Sequence, residues 1–130
     1  MKVKAFFKLF FLVIGVYDVL LGGLFALFYA NIYAFLNITL PNHPGYVYVP
    51  ALFLMSAGVG EFLIARNLLK NIDLATVRLL MKLSFASVVL YCYFKYGVPK
   101  IFVLISVASI IGVIINILFI RWAIAATLKS

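Results

Sequence analysis

The sequence predicts an all-α membrane protein: a four-transmembrane-helix bundle with both termini cytoplasmic, forming a single integral membrane domain over residues 1–130. Three observations predict it. Hydrophobic residues make up 68% of the chain and charged residues only 11%, whereas soluble domains hold roughly half and a quarter. The apolar residues fall into four runs, each near the ~20 residues that cross a hydrocarbon core about 30 Å thick. None of the runs alternates with the period of a barrel strand. Backbone polar groups in lipid must be satisfied within their own segment, so helices are the consistent solution.

The first span covers about residues 9–30, interrupted only by Asp18, and the second about 49–69, containing Glu61. The third covers about 74–96 and the fourth about 101–120, separated by a short link in which Gly97 and Pro99 break the helix. Lys2, Lys4 and Lys8 precede the first run as in a signal peptide, but the run is far longer than an h-region of about 7–15 residues. A retained helix is the expectation. Orientation follows from the basic residues, which collect on the cytoplasmic side of short loops. Lys2, Lys4, Lys8, Arg66, Lys70, Arg78, Lys82, Arg121 and Lys129 fall on one side, and only Lys95 and Lys100 on the other. The second side is rich in tyrosine (Tyr29, Tyr33, Tyr46, Tyr48, Tyr91, Tyr93, Tyr96), as an interfacial aromatic belt requires, and Trp122 is the inner counterpart.

The net charge of +8 does not imply a nucleic-acid partner. The positive residues flank apolar runs rather than forming a basic face, and anionic lipid answers them better. The cell membrane is the expected location and the bilayer the first partner. Cys92 has no second cysteine to pair with and reads as a small core hydrophobe. The outer loop, about residues 31–48, carries Pro41, Pro44 and the sole histidine, His43, which has no neighbouring ligand for a metal. An extended helix end followed by a turn suits this stretch. Asn37-Ile38-Thr39 matches a glycosylation acceptor, a tripeptide too common to use.

Asp18 and Glu61 are the default site hypothesis. A carboxylate at the centre of a membrane helix costs roughly 2.5–3.5 kcal/mol even on lenient scales, and such groups usually face a bundle interior. Small or polar residues share a face with each acid, and every span offers such a set: Gly15, Asp18, Gly22; Gly58, Glu61, Ala65; Ser84, Ser87, Tyr91; Ser109, Gly112, Asn116. Plain packing accounts for such stripes equally well. Counting from Lys8 and Lys70, the acids lie roughly 15 and 13 Å deep, which would set them level; counting from Arg66, Glu61 is only about 7 Å deep. Burial would protonate the acids or demand a cation. Lys82 is the candidate partner, either turning inward or snorkelling to the inner surface with Arg78, and snorkelling is the preferred reading. Asn116 and Tyr17 are neutral donors able to bind a carboxylate.

No soluble-type catalytic set can be assembled from one histidine and one cysteine, so no catalytic or metal-binding residues are assigned. Gly58-x-Gly60 has Leu63 where a nucleotide fingerprint wants its third glycine. Haem would need axial ligands inside the bilayer, whereas a quinone or lipid needs none. The run Ser56-Ala57-Gly58-Val59-Gly60-Glu61-Phe62-Leu63-Ile64-Ala65-Arg66, with Gly15, Asp18 and Lys82, resembles small bacterial and archaeal four-helix proteins of the DoxX-like kind. That resemblance covers the overall layout and implies a group that includes subunits of quinone-linked oxidation. It transfers no catalytic residue. The leading expectation is a non-enzymatic helical module, acting as an accessory subunit of a membrane partner or homo-oligomer, or as a binder of a hydrophobic ligand. A small proton-coupled transporter using Asp18 or Glu61 is the alternative, and a quinone-linked enzyme rests on the resemblance alone.

Overall fold

The computed structural model describes residues 1–130 and is all-helical. Four helices follow in order: α1 (Lys2–Phe35), α2 (Gly45–Arg66), α3 (Ile72–Tyr96) and α4 (Lys100–Leu128). All four are long and apolar enough to cross a membrane. The chain divides into two compact units, Met1–Arg66 and Asn67–Ser130, each an antiparallel helical hairpin.

In the first hairpin, α1 has 34 residues, about 51 Å of helix and well beyond one bilayer core. Its regular geometry is interrupted at Phe28, where φ is −129° and ψ is 21°. Beyond that kink, Tyr33 packs edge-on against Phe25, and Tyr29 meets Tyr48 of α2 at 5.5 Å between ring centroids. The helix stops in a Schellman motif: Asn37 takes φ 54°, the Asn37 N–H donates to Ala34 O, and the Ile38 N–H donates to Tyr33 O at 2.8 Å. Asparagine tolerates this left-handed conformation better than other non-glycine residues, which gives Asn37 a structural role. Helix therefore occupies part of the expected outer loop, leaving only residues 36–44 between α1 and α2. At the start of α2, His43 Nδ1 accepts a hydrogen bond from the Gly45 N–H at 3.0 Å, the task a capping side chain performs, with Pro44 fixing the first turn.

Glycine sets the spacing of this hairpin. A Cβ added at Gly22 would lie 2.6 Å from the Ala51 carbonyl oxygen, and one at Gly58 would lie 2.8 Å from Gly15 O. The two backbones are therefore in direct contact along a face that reads Phe7, Phe11, Gly15, Asp18, Gly22 on α1.

In the second hairpin, Asp73 in the first turn of α3 and Lys95 in its last turn each complement the helix dipole, and Gly97 ends the helix with φ 74°. Pro99 precedes α4, which runs eight residues beyond the expected end of its span because Ala123, Ala125 and Ala126 sustain it and nothing breaks it. Ser106 Oγ donates to Ala86 O at 3.4 Å, and Asn116 Nδ2 donates to Ala75 O at 3.2 Å.

Many buried positions correspond between the two hairpins. Ser106, Gly112, Val113, Asn116, Phe119 and Ala123 each lie 55 residues after a buried residue: Ala51, Ala57, Gly58, Glu61, Ile64 and Leu68. Ala75, Lys82 and Ala86 of α3 each lie 64 residues after Phe11, Asp18 and Gly22. Cross-helix register agrees as well, since the Gly22–Ala51 contact corresponds to the Ala86–Ser106 hydrogen bond. Asp18 and Lys82 are thus equivalent, as are Glu61 and Asn116.

Neighbouring glycines in α1 give a direct test. Gly22→Ala should destabilise the detergent-solubilised protein by about 1–3 kcal/mol, because the α2 backbone must move. Gly23 has nothing within 4 Å of an added Cβ, so Gly23→Ala should stabilise by about 0.5–1 kcal/mol through the unfolded chain. Thermal unfolding of the two variants should shift in opposite directions; equal shifts would exclude the close backbone approach.

Candidate functional site

Each hairpin encloses ionisable groups in otherwise apolar helices. In the first, Asp18 is 5% exposed and Glu61 is fully buried. Their placement follows from the Gly15–Gly58 crossing. Asp18 lies three residues after Gly15 and Glu61 three residues after Gly58, and the helices run antiparallel, so the acids flank the crossing on opposite sides. Gly15 faces the stretch Gly58–Phe62 and Gly58 the stretch Gly15–Val19, so the Cα atoms of the two acids are offset by about 6 Å along the hairpin axis. Side chains lean toward the N-terminus of their own helix, so both carboxyl groups lean back toward the crossing. The acids share one helix–helix interface, and their side chains lean toward one another across the crossing.

The second hairpin encloses cations. Arg78 is 5% exposed and Lys82 is 8% exposed. The Lys82 stem crosses α4 at Gly112, where an added Cβ would meet Cε at 3.4 Å and Cδ at 3.5 Å. This corrects the snorkelling expectation: Lys82 is on the buried face of α3, with its stem lying alongside Gly112. The expected inner stripe of α3 is corrected too. Ser84, Ser87 and Tyr91 are exposed, and the buried face is Ala75, Arg78, Lys82, Ala86. Alanine at both ends of that face meets α4, where Ala75 O and Ala86 O accept from Asn116 and Ser106. On α4, Gly112 and Asn116 are buried as expected and Ser109 is half-buried.

Asn116 is fully buried. Its Nδ2 is satisfied by Ala75 O, but its Oδ1 has no hydrogen-bond partner. A buried unsatisfied acceptor carries its full desolvation cost, about 1–3 kcal/mol. Tyr17 remains 39% exposed, because the residue before Asp18 is turned 100° around the helix from the buried face.

Two buried polar residues escaped the sequence reading as interior groups. Arg78 lies one turn from Lys82 on the same face, and Ser106 lies ten residues before Asn116, close to three helical turns. The available signal was alanine at Ala75 and Ala86, which shares the face of the two cations. His, Cys, Asp and Glu side chains nowhere gather in threes able to hold a metal ion. Comparison with protein-family models, curated proteins and solved structures finds no match.

Asn116 can be tested for a purely structural role. Asn116→Leu removes the unsatisfied oxygen together with the Nδ2 bond to Ala75 O, and leucine is the larger side chain at a fully buried position, so thermal stability should fall by no more than about 2 kcal/mol. A loss above about 2 kcal/mol would make Asn116 a structural residue.

Proposed function

We propose that this chain is a multi-pass protein of the cell membrane, with both termini cytoplasmic, and that it works as a non-enzymatic helical module binding a hydrophobic ligand, a lipid or a quinone. Four apolar helices, the outward-facing large hydrophobic side chains and the one-sided lysines and arginines support the membrane placement. The observation that carries the ligand reading is Asn116 Oδ1, a fully buried acceptor to which no group of the protein donates. A hydroxyl of a quinol or a lipid headgroup supplies the donor it lacks. The DoxX-like resemblance belongs to the same proposal, through that group's association with quinone-linked oxidation. Service as an accessory subunit, in a complex with another membrane protein or a second copy, is compatible with ligand binding.

Purification in mild detergent, followed by organic extraction and mass spectrometry, should recover a quinone or a defined lipid in stoichiometric amount from the wild type and much less from Asn116→Leu. Repeated recovery of a ligand-free monomer would overturn the reading.

A second reading, a proton-coupled carrier, is favoured by one observation: both carboxyl groups lie in the same α1–α2 interface. In energised vesicles, Asp18→Asn and Glu61→Gln should each abolish proton-dependent uptake, since a carrier acid must release its proton. Undiminished uptake by both variants eliminates this reading.

A further inference from the structure

The end of the second hairpin that joins α3 to α4 carries a preorganised cation. Lys95 Nζ donates to the Tyr91 phenol oxygen at 2.9 Å and lies 5.4 Å from the Tyr91 ring centroid and 5.2 Å from that of Tyr96. The two rings stand edge to face, with centroids 6.4 Å apart. An exposed lysine ordinarily keeps its rotamer freedom; this one is held between two aromatic faces and a hydroxyl. Lys100, the first residue of α4, follows across the short link Gly97–Pro99. The α4 N-terminus has no side-chain cap, so its positive dipole end adds to the two ammonium groups.

No carboxylate of this hairpin answers that charge. The chain has three acids. Asp18 and Glu61 are buried in the first hairpin, and Asp73 opens α3 about 33 Å from Lys95 along the helix. What the cluster offers is donors: two remaining N–H groups on Lys95 and the Tyr91 O–H that Lys95 leaves free, with Lys100 five residues on at the head of α4 as a second cation at the same end of the hairpin. Such a set fits an acceptor-only oxyanion. Because the cluster sits where two apolar helices end, the oxyanion found at that level is a phospholipid phosphate.

We propose that Lys95, Tyr91, Tyr96 and Lys100 bind the headgroup phosphate of an anionic membrane lipid, a proposal that rests on the membrane placement above. A zwitterionic headgroup brings its own cation, which two lysines repel; an anionic one does not. Rings of Tyr91 and Tyr96 cover the apolar boundary beneath the headgroup and keep Lys95 in place without ligand.

The test uses the full chain in phosphatidylcholine nanodiscs doped with phosphatidylglycerol, with lipid retention read by native mass spectrometry. Wild type should retain phosphatidylglycerol in preference to phosphatidylcholine. Lys95→Gln and Lys100→Gln should each weaken retention about fivefold, and Tyr91→Phe about threefold. Excess inorganic phosphate should leave the lipid bound. Equal retention of the two lipids, unchanged retention by the double lysine variant, or displacement by inorganic phosphate would each overturn the proposal. Alkaline carbonate extraction separates this failure from a wider one: a chain stripped from vesicles overturns the membrane placement itself, whereas an inserted chain that does not discriminate overturns only the lipid site.

Discussion

Direct contact between the backbones of α1 and α2 is the constraint on which the first hairpin depends. In a bilayer, helices this apolar would gain little from hiding hydrophobic surface from one another, so association there would rest on close packing and on polar groups at the interface. Gly15, Gly22 and Gly58 supply the close packing: an added Cβ would strike partner backbone at Gly22 and Gly58, and the Phe62 ring at Gly15. The positions of Asp18 and Glu61 follow from that contact, because each lies three residues along its own helix from the crossing.

The second hairpin solves the same packing problem with other residues. Alanine, serine and glycine at Ala75, Ala86, Ser106 and Gly112 hold α3 and α4 in the equivalent register, with the Lys82 stem laid over Gly112. At matching places the chain has a carboxylate in one hairpin and an ammonium in the other, and a carboxylate in one and an amide in the other. One packing frame therefore carries two electrostatic characters. Burying any of these groups costs free energy unless it is paired, hydrogen-bonded or neutralised, which is the physical reason to look for function at these positions.

Aromatic side chains finish both hairpins at their linked ends. Phe25, Tyr29, Tyr33 and Tyr48 interlock around the kink at Phe28, and Tyr91 with Tyr96 encloses Lys95. Amphipathic rings are suited to a boundary where apolar helix gives way to polar surroundings. Local backbone chemistry works at the same ends, through Asn37 in the left-handed conformation, His43 at the start of α2 and Gly97 after α3.

By itself, the sequence determined the number and type of the elements, because runs of about twenty apolar residues bounded by Pro, Gly and Lys admit few other solutions. It also made Asp18 and Glu61 conspicuous, since an acid within such a run has no ordinary reason to be there. Tertiary structure decided which face of each helix turns inward. On α3 the sequence offered two opposed faces, Ser84-Ser87-Tyr91 and Arg78-Lys82, and polarity alone pointed to the first. The fold buries the second: Ala75 and Ala86 meet α4 through Asn116 and Ser106, and Arg78 and Lys82, between them on the same face, are carried inward. The register of the two acids is likewise a tertiary property: counts from flanking lysines and arginines leave two depths open for Glu61, and the Gly15–Gly58 contact sets Asp18 and Glu61 one on each side of a single crossing.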